Sequence, residues 1–201
     1  MKKIAFIFSL ISLILISCGG NKEKQEEQME EPQEEQIQEK EEIQEMFIGE
    51  QKIGEIEIGM EIEKLKEQFP EEQIKSTTKS MEGEDYTIYH VFFGEKDVIS
   101  MEVEPISTDK GEIISRMMLY DNTPKTKEGI GVGNTIAELR EAYNIKSYYV
   151  SAIDGDIFAA VEEYESVVFA IDQDELMLPP ETVINKEKIN DKWLIKYVYI
   201  F

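Results

Sequence analysis

Only one cysteine, Cys18, stands in 201 residues, so no disulfide can form within the chain. Histidine is equally scarce: His90 is the sole one. A zinc site built on histidines or thiolates therefore lacks its second ligand, and any serine–histidine–acid triad would have to use this residue. Ser80 and Ser100 lie near it in sequence, but no nucleophile-elbow pattern surrounds either. His90 reads as a structural or surface histidine, with no catalytic residue assigned. Positive charge is also in short supply, with 21 Lys and Arg against 43 Asp and Glu and a formal charge of −22. Such a surface repels phosphate backbones and anionic lipid headgroups, which argues against nucleic acid as a partner. No cofactor motif is present, and none is expected to bind.

What is there begins with "MKKIAFIFSLISLILISCGG". Lys2 and Lys3 form a basic start, and residues 4–16 are an uncharged apolar run. That run is too short to span a bilayer as a helix but has the length of a signal-peptide core. It ends in Leu15-Ile16-Ser17-Cys18, which resembles the bacterial lipobox: aliphatic residue, open position, small residue, cysteine. The resemblance implies removal of residues 1–17 and acylation of Cys18. Each buried acyl methylene contributes about 0.8 kcal/mol, so several chains make a stable anchor where one is marginal. The chain is thus expected to be anchored to a membrane and not to span it. Gly19 stands where an aspartate would suggest inner-membrane retention, which favours the outer membrane, on the periplasmic side or the cell surface.

Residues 21–45, "NKEKQEEQMEEPQEEQIQEKEEIQE", hold eleven acids and three lysines. With almost nothing apolar to bury, the stretch cannot offset its ordering entropy, and self-repulsion extends it. Pro32 argues against one continuous helix. Residues 18–47 are read as an acidic tether, similar to the surface-export signals of some Gram-negative lipoproteins. Residues 48–201 are read as a single domain.

Within the domain, "GIGVGNTIAELREAY" (129–143) invites comparison with a phosphate-binding glycine loop. Its spacing is wrong. A dinucleotide fingerprint needs G-x-G-x-x-G, and a P-loop ends in Gly-Lys-Ser/Thr, whereas Gly133 precedes Asn134-Thr135. Thr135 and Glu138 have the spacing of a helix capping box. The stretch also aligns without gaps on "IEIGMEIEKLKEQF" (56–69) at an offset of 74, matching Gly59 to Gly133, Ile62 to Ile136, Leu65 to Leu139 and Phe69 to Tyr143. The last three apolar pairs fall on one helix face. The shared glycine is expected to make the turn from strand to helix.

Each helix is followed by β-rich segments: 86–94, 97–106 and 112–121 in the first half, then 156–164, 166–173 and 192–201 in the second. The expected fold is α+β: two tandem helix-plus-three-strand repeats, about 53–121 and 127–201, forming an antiparallel sheet with helices on one face. The tandem motif resembles the small lipoproteins of the outer-membrane barrel-assembly machinery and the β-lactamase-inhibitor-protein fold. A closer resemblance is carried by "GEIISRMMLYD" (111–121), "GIGVGNTIAELREAY" and "LMLPPETVINKEKINDKWLIKYVYIF" (176–201). It is to an uncharacterised family of lipoproteins regulated by the envelope-stress sigma factor. That resemblance implies an envelope lipoprotein without an established activity. Relatives can carry a cysteine pair in the second half, which this chain lacks.

Two further groups are candidate sites. The acids Asp154, Asp156, Asp172 and Asp174 flank the 156–173 hairpin and are weak calcium candidates, although no EF-hand loop is present. Along the last strand, strict alternation places Trp193, Ile195, Tyr197, Tyr199 and Phe201 on one face. Trp193, Tyr197 and Tyr199 are the interface candidates, because Tyr and Trp favour protein-binding surfaces. The function expected is non-catalytic binding of another envelope protein, or envelope maintenance. A small-ligand or calcium-binding lipoprotein is the alternative, and a hydrolase comes third.

Overall fold

Short runs of β-branched and aromatic residues, punctuated by glycines and charged turns, dominate the chain beyond residue 45. A computed structural model describes residues 46–81, 83–94, 97–152, 155–173 and 176–201. The predicted signal peptide, Cys18 and nearly all of the predicted tether lie outside these residues. The first half contains β1 (Phe47–Gly49), β2 (Lys52–Ile53), β3 (Ile56–Glu57), α1 (Ile62–Gln68), β4 (Ile74–Met81), β5 (Glu84–Val91), β6 (Met101–Thr108) and β7 (Gly111–Leu119). The second contains β8 (Lys125–Thr126), α2 (Ile136–Ala142), β9 (Ile145–Val150), β10 (Ile157–Val161), β11 (Val167–Asp172), β12 (Val183–Ile184) and β13 (Leu194–Ile200).

Four short strands form a small sheet in the order β3-β2-β1-β8, in which β1 and β8 run parallel. Nine strands form the main sheet, in the order β12-β9-β10-β11-β13-β7-β6-β5-β4. Every neighbouring pair in it is antiparallel. The architecture is therefore mostly β and corrects the expected α+β class: each described α-helix has only seven residues, and the long strands outnumber the expected three per half. Two strands account for the difference. β4 reads IKSTTKSM and β9 reads IKSYYV, and neither shows the apolar alternation that marks a half-buried strand. The helical spacing at 56–69 and 130–143 reflects two turns of helix apiece, too little to form a layer.

The aligned segments do share a local device. Gly59 and Gly133 have φ of +87° and +85°, a conformation that costs a residue with a Cβ. The Gly59 amide donates to Ile114 O at 2.8 Å, and the Gly133 amide donates to Ile195 O at 2.9 Å. In return Ile114 N donates to Met60 O and Ile195 N to Asn134 O, both at 2.8 Å. Each glycine turn is thereby tied to a main-sheet strand before its helix begins. The helices then bury Ile62 and Leu65, and Ile136 and Leu139, in one core. That core also takes Ile48, Ile53 and Ile56 from the small sheet, and Val103, Met117, Phe169 and Val198 from one face of the main sheet. No described helix is long and apolar enough to cross a membrane.

Helix α2 has the capping box its sequence announces. The Glu138 amide donates to Thr135 Oγ1 at 3.2 Å, and the Thr135 amide donates back to Glu138 Oε2 at 2.7 Å. The equivalent residue before α1, Glu61, makes no side-chain cap. Thr135→Ala is expected to destabilise the protein by about 1 kcal/mol at pH 7. The Thr135 backbone amide, and next its hydroxyl, hold the Glu138 carboxyl below its ordinary value of 4.5. Stability from this pair is present above that ordinary value and is lost as pH falls through the depressed folded-state value. Thr135→Ala keeps that amide, so the pH dependence is read from Glu138→Ala, whose penalty in denaturant titrations should vanish in strongly acidic solution. A Glu138→Ala penalty independent of pH would show that the reciprocal bond contributes nothing.

Candidate binding groove

The face of the main sheet turned away from the helices has its own apolar cluster. Met118, Phe158, Val168, Ala170 and Tyr197 form it, with Tyr149, Ala160 and Tyr199 packed against them. They alternate along β7, β9, β10, β11 and β13 with residues of the main core, as the two-residue period of a strand requires. Phe158 is the hub. Its ring centroid lies 5.8 Å from those of Tyr149 and Tyr197 and 5.9 Å from that of Tyr199, within the range of favourable aromatic pairs. No residue of either helix belongs to this cluster.

On this face a groove of about 570 Å³ opens between Lys79 and Tyr86 on one side and Tyr149, Ser151 and Ala152 on the other. Lys79 belongs to β4 and Tyr149 to β9, seven places apart in the strand order. One groove is lined from both because the sheet face is concave, as the accumulated twist of a wide antiparallel sheet allows, and because the long Lys79 side chain crosses β5 toward β6. Register shifts in β6/β7, β9/β10 and β11/β13 add local bends of the kind bulges produce.

The groove has a charged element among its aromatics. Glu104 is 8% exposed and Glu102 is 7% exposed, both on β6. Buried carboxylates need partners. Arg116 Nη2 lies 2.5 Å from Glu104 Oε2 as an ion pair, although that oxygen has no well-aligned hydrogen bond. Arg116 Nη1 also donates to Tyr199 Oη at 3.3 Å. Glu102 accepts from Lys79 Nζ at 2.9 Å and lies 3.3 Å from His90 Nε2. Burial alone would lower the Lys79 ammonium, yet its hydrogen bond and charge contact with Glu102 carry it above the ordinary lysine value. The groove therefore offers one ion pair, Arg116 with Glu104, and a lysine, Lys79, held from beside it by Glu102, within aromatic walls on a strongly acidic chain.

The sequence candidates disperse. Tyr197 and Tyr199 lie on this face, and Tyr199 lines the groove. Trp193 does not: it packs partly buried against the main core on the opposite face, with Ile195. The cause is the register shift between Ala170 and Ile171, opposite which β13 advances from Ile195 to Tyr197, so the single alternating face expected for 193–201 is broken. Asp156 has both carboxylate oxygens engaged, by Lys196 Nζ at 3.2 and 3.1 Å and by Tyr197 Oη at 2.9 Å. A calcium ion would have to displace those partners. Asp172 is exposed at the end of β11, and Asp154 and Asp174 lie outside the described residues. Among the described residues no three His, Cys, Asp or Glu side chains gather to hold a metal ion.

His90 meets Glu102, whereas Ser80 bonds Asp85 and the Ser100 hydroxyl accepts from the Phe93 amide at 2.9 Å. A nucleophile–histidine pair, the geometric core of a hydrolase reading, is not what these contacts build. The residues that sequence reasoning missed are Glu102, Glu104 and Arg116. Their only signal is a charge at alternate positions of otherwise apolar strands, which also describes an ordinary solvated face.

No protein-family model matches the chain, and no curated protein does. Among solved structures, the crystal structure of the uncharacterized protein yfeY from Escherichia coli is similar in fold. It is 15% identical, with a TM-score of 0.55, over 77% of this chain and 98% of the other. At that identity the likeness concerns the fold alone.

Proposed function

We propose that the chain is a lipid-anchored, non-catalytic binding protein of the bacterial cell envelope, held at the outer membrane through acylated Cys18. Its aromatic groove receives a segment of another envelope protein. The observation that carries the binding role is the concave sheet face itself, apolar and aromatic and covered by neither described helix. Tyrosine, phenylalanine and arginine are among the side chains that interfaces concentrate, the aromatic ones because they contribute much contact area at modest entropic cost. The lipobox-like Leu15-Ile16-Ser17-Cys18 supports the anchor, and the acid-rich residues that follow support a domain held away from anionic lipid.

A second reading has its own support. The groove's volume falls within the roughly 300–1,000 Å³ of small-molecule sites, and Lys79, Glu104 and Arg116 converge on it. An amphipathic small ligand is that alternative.

A photo-crosslinking residue at Phe201, which lines the groove, should capture one discrete envelope polypeptide in intact cells. The same residue at Lys64, exposed on α1, should not. A small molecule retained by the native protein, without a polypeptide adduct, would shift the assignment to the second reading. Indistinguishable adducts from both positions would sink the groove as a binding site. For the anchor, Cys18→Ser should abolish both membrane partitioning and the mass change of the processed precursor.

A further inference from the structure

Strand β4 ends the main sheet with eight residues that pair with β5 without a register shift. Every other strand at a sheet edge among the described residues, β3, β8 or β12, is two residues long. Residues 75–80 are exposed throughout. Because the Phe92 amide donates to Gln73 O at 2.9 Å, the odd-numbered residues of β4 face β5. By antiparallel alternation, the amides and carbonyls of Ser76, Thr78 and Ser80 then point outward. A long, regular edge of this kind is a template for another strand unless something blunts it.

Lysines are a common guard on such edges, and β4 has Lys75 and Lys79. Neither projects along the edge here. Lys75 Nζ reaches Asp97 at 3.1 Å and lies 4.9 Å from the Phe92 ring centroid. Lys79 Nζ crosses β5 to reach Glu102 on β6. Both side chains fold back over the sheet, and among the described residues neither guards the edge. On the opposite face, a cleft of about 290 Å³ is lined by Lys66, Phe69 and Glu71 of the α1 region and by Ile74, Ser76 and Tyr89, and the acid Glu71 at its wall keeps carboxylates of an added strand on the lysine face. Alternate side chains of an added strand would fall into it.

We infer that the β4 edge is a strand-addition site for an extended, acid-bearing segment of a second polypeptide, whose aliphatic side chains enter the cleft beside α1. The charge pattern selects this occupant. Residues 74–81 carry two lysines and no acid on a chain with 43 acids; both ammonium groups keep about half their surface exposed beside Asp97 and Glu102, so acids opposite them on an added strand can share their remaining donors. A second copy pairing symmetrically about Thr77 would set Lys75 against Lys79, which is unfavourable. The edge site shares Lys79 with the rim of the aromatic groove, but its backbone contacts lie along the outer side of β4 and do not depend on the groove's role.

The test uses the full chain and a synthetic peptide of alternating valine and glutamate. Hydrogen exchange should show the Ser76, Thr78 and Ser80 amides slowed at least tenfold at saturating peptide, with no comparable change at Tyr197 or Tyr199. Thr78→Pro removes an outward amide while sparing the β5 ladder, as an edge tolerates. It should weaken peptide binding at least tenfold with an unchanged far-ultraviolet circular dichroism spectrum. Absence of binding, or binding without β4 protection, would overturn the site. Protection of these amides before peptide is added would overturn the choice of occupant, because the acidic residues 21–45 or a second copy would already lie there. The exchange measurement on the unaltered chain decides the matter even if the proline variant fails to fold. Crosslinks from Phe201 report on the groove independently.

Discussion

Phe169→Ala is expected to lower the unfolding free energy by about 3–5 kcal/mol, the largest single effect predicted for this chain. Phe169 is fully buried on β11. Its ring stacks on Tyr143, with centroids 6.3 Å apart, at the end of α2. Tyr143 in turn meets Tyr164 edge-on at 5.7 Å and bonds Glu128. Truncation would remove the aromatic surface that joins the sheet to α2. The neighbouring backbone is fixed by pairing on both sides, to β10 and β13, so the cavity cannot readily collapse. Urea unfolding at neutral pH would measure the loss, and an unchanged slope would confirm that the native state remains compact. A loss under about 1 kcal/mol would mean that Phe169 is not enclosed as described.

Gly131→Ala should be the most damaging of the alanine substitutions in the glycine-rich stretch, at roughly 1–3 kcal/mol. A Cβ there would lie 2.6 Å from the Pro124 carbonyl oxygen and 2.9 Å from Lys125 Cδ. The carbonyl cannot yield easily, because Lys125 starts β8 and pairs with Phe47 of β1. Lys125 is further held by its ammonium, which donates to Val132 O and Asn134 Oδ1 at 2.8 Å each. Gly129 and Gly133 present a different case. Added Cβ atoms there meet nothing within 4 Å, but φ is +83° and +85°. Alanine should cost about 1 kcal/mol at each, through backbone conformation alone. Melting temperatures of the three variants test the order, and a Gly131→Ala protein as stable as Gly133→Ala would refute the packing argument.

These glycines show what a sequence can carry. Alignment of 56–69 on 130–143 singles out Gly59 and Gly133, the two residues with matching turns and matching hydrogen bonds to the main sheet. The Thr135–Glu138 spacing announces a cap that exists. These features are local, and local spacing encodes them. The role of Gly131 is not local, since it depends on Pro124 crossing overhead. For the same reason β4 escaped notice: its serines, threonines and lysines suit an edge, but an edge is defined by neighbours. The reversal at Tyr197 needed the β11 register, and the Glu104–Arg116 pair needed β6 beside β7. Curling of the sheet, which turns scattered aromatics into a groove, accumulates over nine strands and is written in no single one.

The order of strands also has a consequence in time. β13, the last described strand in the chain, lies at the middle of the main sheet, between β11 and β7. Its seam with β7 has only three residue pairs, Val198–Leu119, Tyr199–Met118 and Ile200–Met117. As the chain emerges from the ribosome, β4 to β7 and β9 to β11 can form separately, but each leaves its inner edge bare until β13 is made. Contacts this distant in sequence close slowly. A chain stalled before residue 194 would hold two half-sheets with two unpaired inner edges, the species most exposed to aggregation. A seam of three residue pairs, as few as any between two long strands of the main sheet, is therefore also the one that completes the molecule.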